Sequence, residues 1–329
     1  MIDASDEYFH PDAATIPGAL FGDTAWFSVM DRQAGIFGVV QLFFSNHGYA
    51  RWASLFQIDG TLQYWGNKQA FGGDPARGPW TDGRMRYEVI RPLEEFRVTF
   101  DGPLYAYDLA FSARYPAFAY EHGAEPTGLT APSEYFSMVW GGHFEQAMDC
   151  RGHFELRGGP HRGQIRPIDC RSHRERSWMH NFHEEKEWER STEPTFPGHY
   201  WLILHLPDAQ VCALGSPRGS KLGMPAVGVV SDARGATALR SIGAEVILAE
   251  DGQRATGLRF ELGLPDGRIL RAATTRKHGE VKLWYRGDNC LDNPVDCYEA
   301  FFDFELDDGR QAYGVCEYSI HPARGRWLS

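Results

Sequence analysis

Apolar and polar side chains alternate one by one through several stretches of this chain. In Leu104–Tyr115, Tyr105, Tyr107, Leu109, Phe111, Ala113 and Tyr115 share one face, while Asp108, Ser112 and Arg114 share the other. In Gly257–Leu264, Leu258, Phe260, Leu262 and Leu264 alternate with Arg259 and Glu261. Successive side chains of a strand point to opposite faces, so a period of two predicts half-buried β-strands. Comparable runs predict strands over Ile36–Phe44, Arg51–Ile58, Leu62–Phe71, Arg84–Ile90, Tyr200–Leu206, Ala209–Ser216, Ala244–Leu248, Ile269–Arg276, Val281–Arg286, Cys297–Leu306 and Gln311–Ile320. Six Asp-Gly pairs, beginning at Asp59, Asp82, Asp101, Asp251, Asp266 and Asp308, fall mostly between such runs. Asp-Gly tolerates the positive φ angles of tight hairpin turns. Long helical periodicity is nearly absent, and short helices are expected only near Pro132–Val139 and Leu291–Val295. The pattern predicts an all-β, antiparallel fold.

One stretch breaks the rhythm. Phe182–Pro197 is charged, poor in apolar residues and closed by Pro194 and Pro197. It reads as a domain linker or as a long loop over a barrel mouth. The corresponding division is 1–185 and 186–329, and 329 residues suffice for two domains with cores of their own.

Composition narrows the functional classes. The net charge of −11 comes without a basic run, whereas nucleic-acid binding needs clustered Lys and Arg against phosphates. Neither a signal-peptide h-region nor a run of about 18 apolar residues is present, which points to a cytoplasmic protein without a membrane span. Six cysteines without a C-x-x-C pair fit reduced thiols, with Cys150 and Cys170 as buried, inert ones. Aromatic residues reach 14%, a surplus that suits core packing and equally an apolar pocket. Trp52, Trp65, Tyr107, Trp178, Trp201 and Trp284 are the candidates to line such a pocket.

The densest polar chemistry lies in Gln164–Phe182. Alternation puts Arg174, Arg176 and Trp178 on one side of a strand, and His173, Glu175 and Ser177 on the other. If the second side faces a barrel lumen, an acid, a hydroxyl and an imidazole meet in an apolar cavity. Burial raises a carboxyl pKa, which would let Glu175 hold a proton near neutrality and act as a general acid. A surface strand laced with ion pairs would carry the same residues. Glu145 and Glu317, each flanked by strand-like residues, are secondary acid/base candidates. His173, His180 and His183, with Glu184 as a fourth ligand, invite a zinc reading, but their spacing matches no established zinc site, and no metal is expected. Phosphate loops, dinucleotide fingerprints and a G-x-S-x-G elbow are also missing, so no cofactor is expected.

Arg174-Glu-Arg-Ser-Trp178 resembles the R-D-H-S-W signature of the carotenoid 1,2-hydratase (hydroxyneurosporene synthase) and AttH-like family. Phe144-Glu-Gln, followed by Gly152-His-Phe-Glu-Leu, looks like that family's approach to the signature. Tyr87–Val98 and Leu104–Leu109 resemble its ligand-barrel hairpins. This resemblance implies two lipocalin-like β-barrels or sandwiches in tandem, and hydratase or cyclase chemistry on long apolar substrates without an organic cofactor. It also assigns the signature's proton donor to Glu175. The sequence departs from the signature in having Glu for Asp at 175, Arg176 for His and Met179 for Gly.

Two functional readings follow. The first is a cofactor-independent acid/base enzyme, a lyase, hydratase, isomerase or cyclase, acting on a bulky apolar or aromatic small molecule. The second is a non-catalytic carrier of an apolar ligand, since lipocalin barrels commonly only bind. A homodimer is a candidate assembly in either case. The histidine spacing carries a direct test. Elemental analysis of the purified protein should find no stoichiometric zinc, and zinc that is lost on His180→Ala would overturn that expectation.

Overall fold

A computed structural model describes residues 2–15, 20–71, 74–119, 138–181, 200–215, 226–250, 254–283 and 296–320. Among these residues the helical elements are short 3-10 turns, and the remaining regular structure is antiparallel sheet. The chain divides into two compact units. The first contains Met1–Ala119 and Met138–Phe182, and the second contains the strands from Tyr200 to Ile320. No helix of the described residues is long and apolar enough to cross a membrane.

The first unit holds β1 (Leu20–Asp31), β2 (Ile36–Ser45), β3 (Tyr49–Ile58), β4 (Thr61–Ala70), β5 (Trp80–Thr81), β6 (Met85–Arg91), β7 (Glu95–Asp101), β8 (Tyr105–Ala113), β9 (Phe118–Ala119), β10 (Met138–Leu156) and β11 (Ile165–Asn181). Their spatial order is β4-β3-β2-β1-β11-β10-β8-β7-β6-β5, with β9 added to β10. The second unit holds β12 (Tyr200–His205), β13 (Gln210–Gly215), β14 (Val227–Asp232), β15 (Gly235–Ala238), β16 (Ser241–Leu248), β17 (Ala255–Gly263), β18 (Ile269–Lys282), β19 (Asp296–Leu306) and β20 (Gln311–Ile320). Their order is β15-β14-β13-β12-β20-β19-β18-β17-β16. Each unit is therefore a curled meander that pairs its first strand with its last, the two tandem lipocalin-like domains implied by the family resemblance.

Four of the Asp-Gly pairs work as their chemistry requires, with positive φ at Gly60, Gly83, Gly267 and Gly309, whereas Gly102 takes none. Asp59 and Gly60 both take positive φ, 51° and 76°, in the two-residue loop that sets Ile58 opposite Thr61. Gly267 and Gly309 supply positive φ between β17 and β18 and between β19 and β20. Asp251 lies outside the described residues, as do the Phe182–Pro197 stretch, the expected helix at 291–295 and residues 132–137 of the other one. Met138 and Val139 belong to β10. The run expected at Ile269–Arg276 and the first two residues of that expected at Val281–Arg286 fall in the single strand β18, where two register shifts, at Thr274/Arg276 and Lys277/Gly279, interrupt the alternation, and residues 284–286 lie outside the described residues. Strand β1 showed no alternation because both of its faces are buried: Ala25, Phe27 and Val29 on one, Trp26, Ser28 and Met30 on the other.

The core of the first unit is largely aromatic, with Phe27, Trp52, Phe56, Trp80, Tyr87, Phe96, Tyr107 and Phe154 all buried. The N-terminal segment packs into it through Phe9, whose ring lies 4.5 Å from Trp80. Beside Phe9 sits a fully buried ion pair. Both terminal nitrogens of Arg174 donate to Glu7, at 2.6 and 2.7 Å, and Arg174 Nε donates to Gln146 at 2.8 Å. The guanidinium is sandwiched by Phe96 and Phe144, 4.3 and 5.0 Å from the ring centroids. Arg176 pairs with Asp23 at 2.7 Å and donates to the carbonyl oxygens of Thr24 and Tyr8. A charge buried without its partner is strongly destabilising. Glu7→Leu should accordingly lower stability by about 3–5 kcal/mol. The double variant Glu7→Leu/Arg174→Met should recover most of that loss, because two apolar residues then replace the pair. Urea unfolding checks both, and a single-variant loss below about 1 kcal/mol would dismiss the pair as an anchor.

Candidate acid/base site

Strand β11 sorts its charges by parity. Arg174, Arg176 and Trp178 turn toward the first unit's core with Phe27 and Ala25, their register partners or neighbours on β1. His173, Glu175 and Ser177 turn to the opposite, outer face. The alternation expected from the sequence is present, but the face that meets the core is the arginine face. Glu175 therefore stands on the face turned away from the first unit's core. Guanidinium groups can be held inside by Glu7, Asp23 and aromatic faces, and once they enter the core the intervening residues must leave it.

Register then assembles the outer face. Trp26 of β1, Glu175 of β11 and Glu145 of β10 stand side by side in one row. The adjoining row is Thr24, Ser177 and His143, and the row on the other side pairs His173 with Ala147. Glu145 and His173 are fully buried, and the side chains of His143 and Glu175 are only 10% and 11% exposed. His173 Nε2 lies 3.1 Å from Glu145 Oε2, and His143 Nε2 lies 3.3 Å from Glu145 Oε1. The same His143 nitrogen is 3.7 Å from Glu175 Oε1 and so stands between the two acids. The Ser28 hydroxyl accepts from the backbone N–H of His173 at 3.1 Å and ties this row to β1.

Two glutamates directly opposed across a strand pair repel when both are ionised. Their surroundings divide the roles. Burial pushes Glu145 up, but hydrogen bonds from His143 and His173, and the charges of those imidazoles, outweigh it and hold the carboxyl far below its usual range. Burial drives Glu175 from 4.5 up to about 7, and the negative charge of Glu145 adds to the rise. His143 and a hydrogen bond with Ser177 restrain it. Burial lowers the His143 pKa, yet Glu145 and Glu175 together bring it above its usual 6.5. Near neutrality the cluster thus contains a carboxylate and a carboxyl group balanced between its two forms, with an imidazole between them whose hold on a proton is strengthened by both acids. Titratable pairs driven apart in this way mark acid and base roles.

Of the residues singled out in the sequence, Glu175, His173, Ser177 and Glu145 come together on this face. Trp178 lies on the other face, its ring stacked on His10 with centroids 3.8 Å apart. Trp52 and Tyr107 are buried in the first unit's core, and Trp65 packs against it beside Phe100. Trp284, His183 and Glu184 lie outside the described residues, and the side chain of His180 is not described. His143 and Trp26 were not foreseen. The His143-Phe-Glu145 spacing was the available signal for His143, because residues two apart on a strand share a face.

Glu317 lies in the second unit, in a frame that repeats the first. There Trp201, Glu317 and Glu299 form one row across β12, β20 and β19, as Trp26, Glu175 and Glu145 do across β1, β11 and β10. Ser319 is paired with Cys297 as Ser177 is with His143. The positions of the two imidazoles are taken by Cys297 and Val315, two residues before Glu299 and Glu317. Like its counterpart, the row lies on the face away from its own unit's core, which is built from Tyr200, Leu202, Leu204, Phe302 and Phe304 among others.

The pairing of first and last strands in two consecutive antiparallel half-barrels makes this a tandem lipocalin-like protein. Its structure is similar to that of an AttH-like protein from Nitrosomonas europaea, with a TM-score of 0.61 and 12% identity over 97% of this chain and 96% of the other. It is also similar to kievitone hydratase from Nectria haematococca, with a TM-score of 0.50 and 12% identity over 97% and 94% of the two chains. CghA matches with a TM-score of 0.53 and 12% identity, over 92% of this chain and 87% of the other. Residues 3–322 match the family described as a domain of unknown function, DUF7064, and the chain belongs to that family. No curated protein matches the sequence.

The raised pKa of Glu175 has a consequence for stability. A carboxyl whose pKa is raised by folding contributes fully below its unfolded value of 4.5, and that contribution is lost as the pH rises through about 7. The loss should be on the order of 3 kcal/mol between pH 5 and pH 8.5. Glu175→Gln should flatten this part of the stability profile, measured by urea unfolding at both pH values. Parallel profiles for the variant and the parent would show that Glu175 is not the titrating group.

Proposed function

We propose that this protein is an acid/base enzyme of the hydratase and lyase kind, acting on a bulky apolar or aromatic small molecule, with Glu175 as its acid. The observation that carries this reading is the divided titration of the register-opposed glutamates, one held ionised by two imidazoles and the other raised to about 7. A general acid works best when its pKa lies near the working pH. The family resemblance assigns the proton donor to the same position, and a hydratase is among the proteins that share the fold. The reaction calls for no organic cofactor.

In the hydration direction, Glu175 gives its proton to one carbon of a double bond, forming a C–H bond as the π bond breaks. Water adds to the other carbon, and the proton it releases restores the Glu175 carboxyl. Dehydration is the reverse. The Glu175 carboxylate formed in transit lies 3.7 Å from the His143 ring nitrogen, whose positive charge opposes the penalty of ionising a buried acid. His173 holds Glu145 in place from the far side, and Ser177 bonds to Glu175 itself.

The first experiment is to release whatever small molecule co-purifies with the protein, identify it by mass spectrometry, and incubate it with fresh protein in D2O. Incorporation of deuterium at carbon, or a mass gain of one D2O, is expected. Glu175→Gln keeps shape and volume and should slow that incorporation roughly a hundredfold or more, with binding retained. Equal rates in the variant and the parent would remove Glu175 from the role. A ligand that binds and is recovered unlabelled would favour the carrier reading.

A further inference from the structure

Cys150 and Cys170 are direct cross-strand partners within the β10·β11 pairing, the longest in the molecule's described residues. Directly opposed residues of antiparallel strands have Cα atoms about 4.5–5.5 Å apart. A disulfide bridges Cα separations of roughly 4.4–6.8 Å, so neither strand would have to move far to accept one. Both thiols are free. Cys150 is fully buried against the first unit's core, and Cys170 is partly exposed beside it. The second unit offers no such arrangement among its described cysteines: Cys316 faces Ala300 and Leu202, and Cys212 faces Ile203 and Val229.

We propose that Cys150 and Cys170 are a site of oxidative modification, in which a peroxide converts the two thiols into a disulfide linking β10 to β11. Solvent access makes Cys170 the first to react. Its sulfur attacks one oxygen of hydrogen peroxide, the O–O bond breaks, and Cys170 becomes a sulfenic acid while one water leaves. The Cys150 sulfur then attacks the Cys170 sulfur, the S–O bond breaks, and the hydroxyl leaves with the Cys150 proton as a second water. The two thiols lose two electrons in all, and one peroxide becomes two waters. Register places Cys150 for the second role. Burial first, then Cys170 and the acids Asp31 and Asp169, hold its thiol well above the usual range, so it is a poor primary target for the oxidant.

The link would close a loop of about twenty residues and fix the register of the two strands that carry His143, Glu145, His173 and Glu175. The inference stands on the register of the cysteines and is independent of the chemistry proposed for the acids.

The test treats reduced, full-length protein with equimolar hydrogen peroxide and follows intact mass, peptide mapping and thermal unfolding. The expected product is lighter by two hydrogen atoms, yields one cross-linked peptide joining Cys150 to Cys170, and unfolds roughly 5 °C or more higher until dithiothreitol reverses the change. Cys170→Ser, at the more exposed position, should abolish the cross-link and the shift together. The proposal is overturned if Cys170 accumulates oxygen without linking, if either cysteine links to another cysteine or another chain, or if the mass does not change.

Discussion

The pleat of a single strand governs much of the first unit. Along β11 a base, an acid and a second base follow one another at Arg174, Glu175 and Arg176, and in an unfolded chain they would neutralise each other. The strand sends the bases to one side and the acid to the other. The bases are then bound by the N-terminal segment and β1, through Glu7 and Asp23, in a core otherwise filled with aromatic rings. That commitment strands Glu175 on the outer face, where its nearest electrostatic neighbours are His143 and Glu145 instead of the adjoining arginines. Arg176 still lowers its pKa, but less than His143 and Ser177 do.

The same register frame occurs twice in the chain. Trp, Glu and Glu stand in a row across the first, last and penultimate strands of each unit, with a Ser two residues beyond the Glu of the last strand. The units part company at the imidazoles. His143 and His173 in the first unit are what ionise Glu145 and leave Glu175 to carry the proton. Cys297 and Val315 occupy the equivalent places in the second and can supply neither that charge nor a comparable hydrogen bond. Two glutamates placed opposite one another are therefore common to both units of this chain, whereas the division into carboxylate and acid in the first depends on two particular side chains. The repeat escapes notice in the linear sequence because its members are more than a hundred residues apart and are interleaved with residues that face the cores.

Alternation and turn chemistry were enough to read the class of the fold. Period two appears wherever one face of a strand is buried and the other wet, as in β8 and β17, and Asp-Gly appears where a hairpin needs positive φ, as at Asp59-Gly60. Strands buried on both faces, such as β1, carry no alternation to read. For Glu175, His173 and Ser177, spacing along one strand was likewise sufficient to place them on a common face, since that depends on the pleat alone. Which face met the core depended on Glu7 and Asp23, residues about 150 positions or more away in the chain, whose pairing with the arginines only folding creates. The protonation of Glu175 was decided in the same way. It follows from burial and from the register that sets β10 against β11, and a sequence holds neither quantity, because desolvation and Coulomb energy are functions of distance in space.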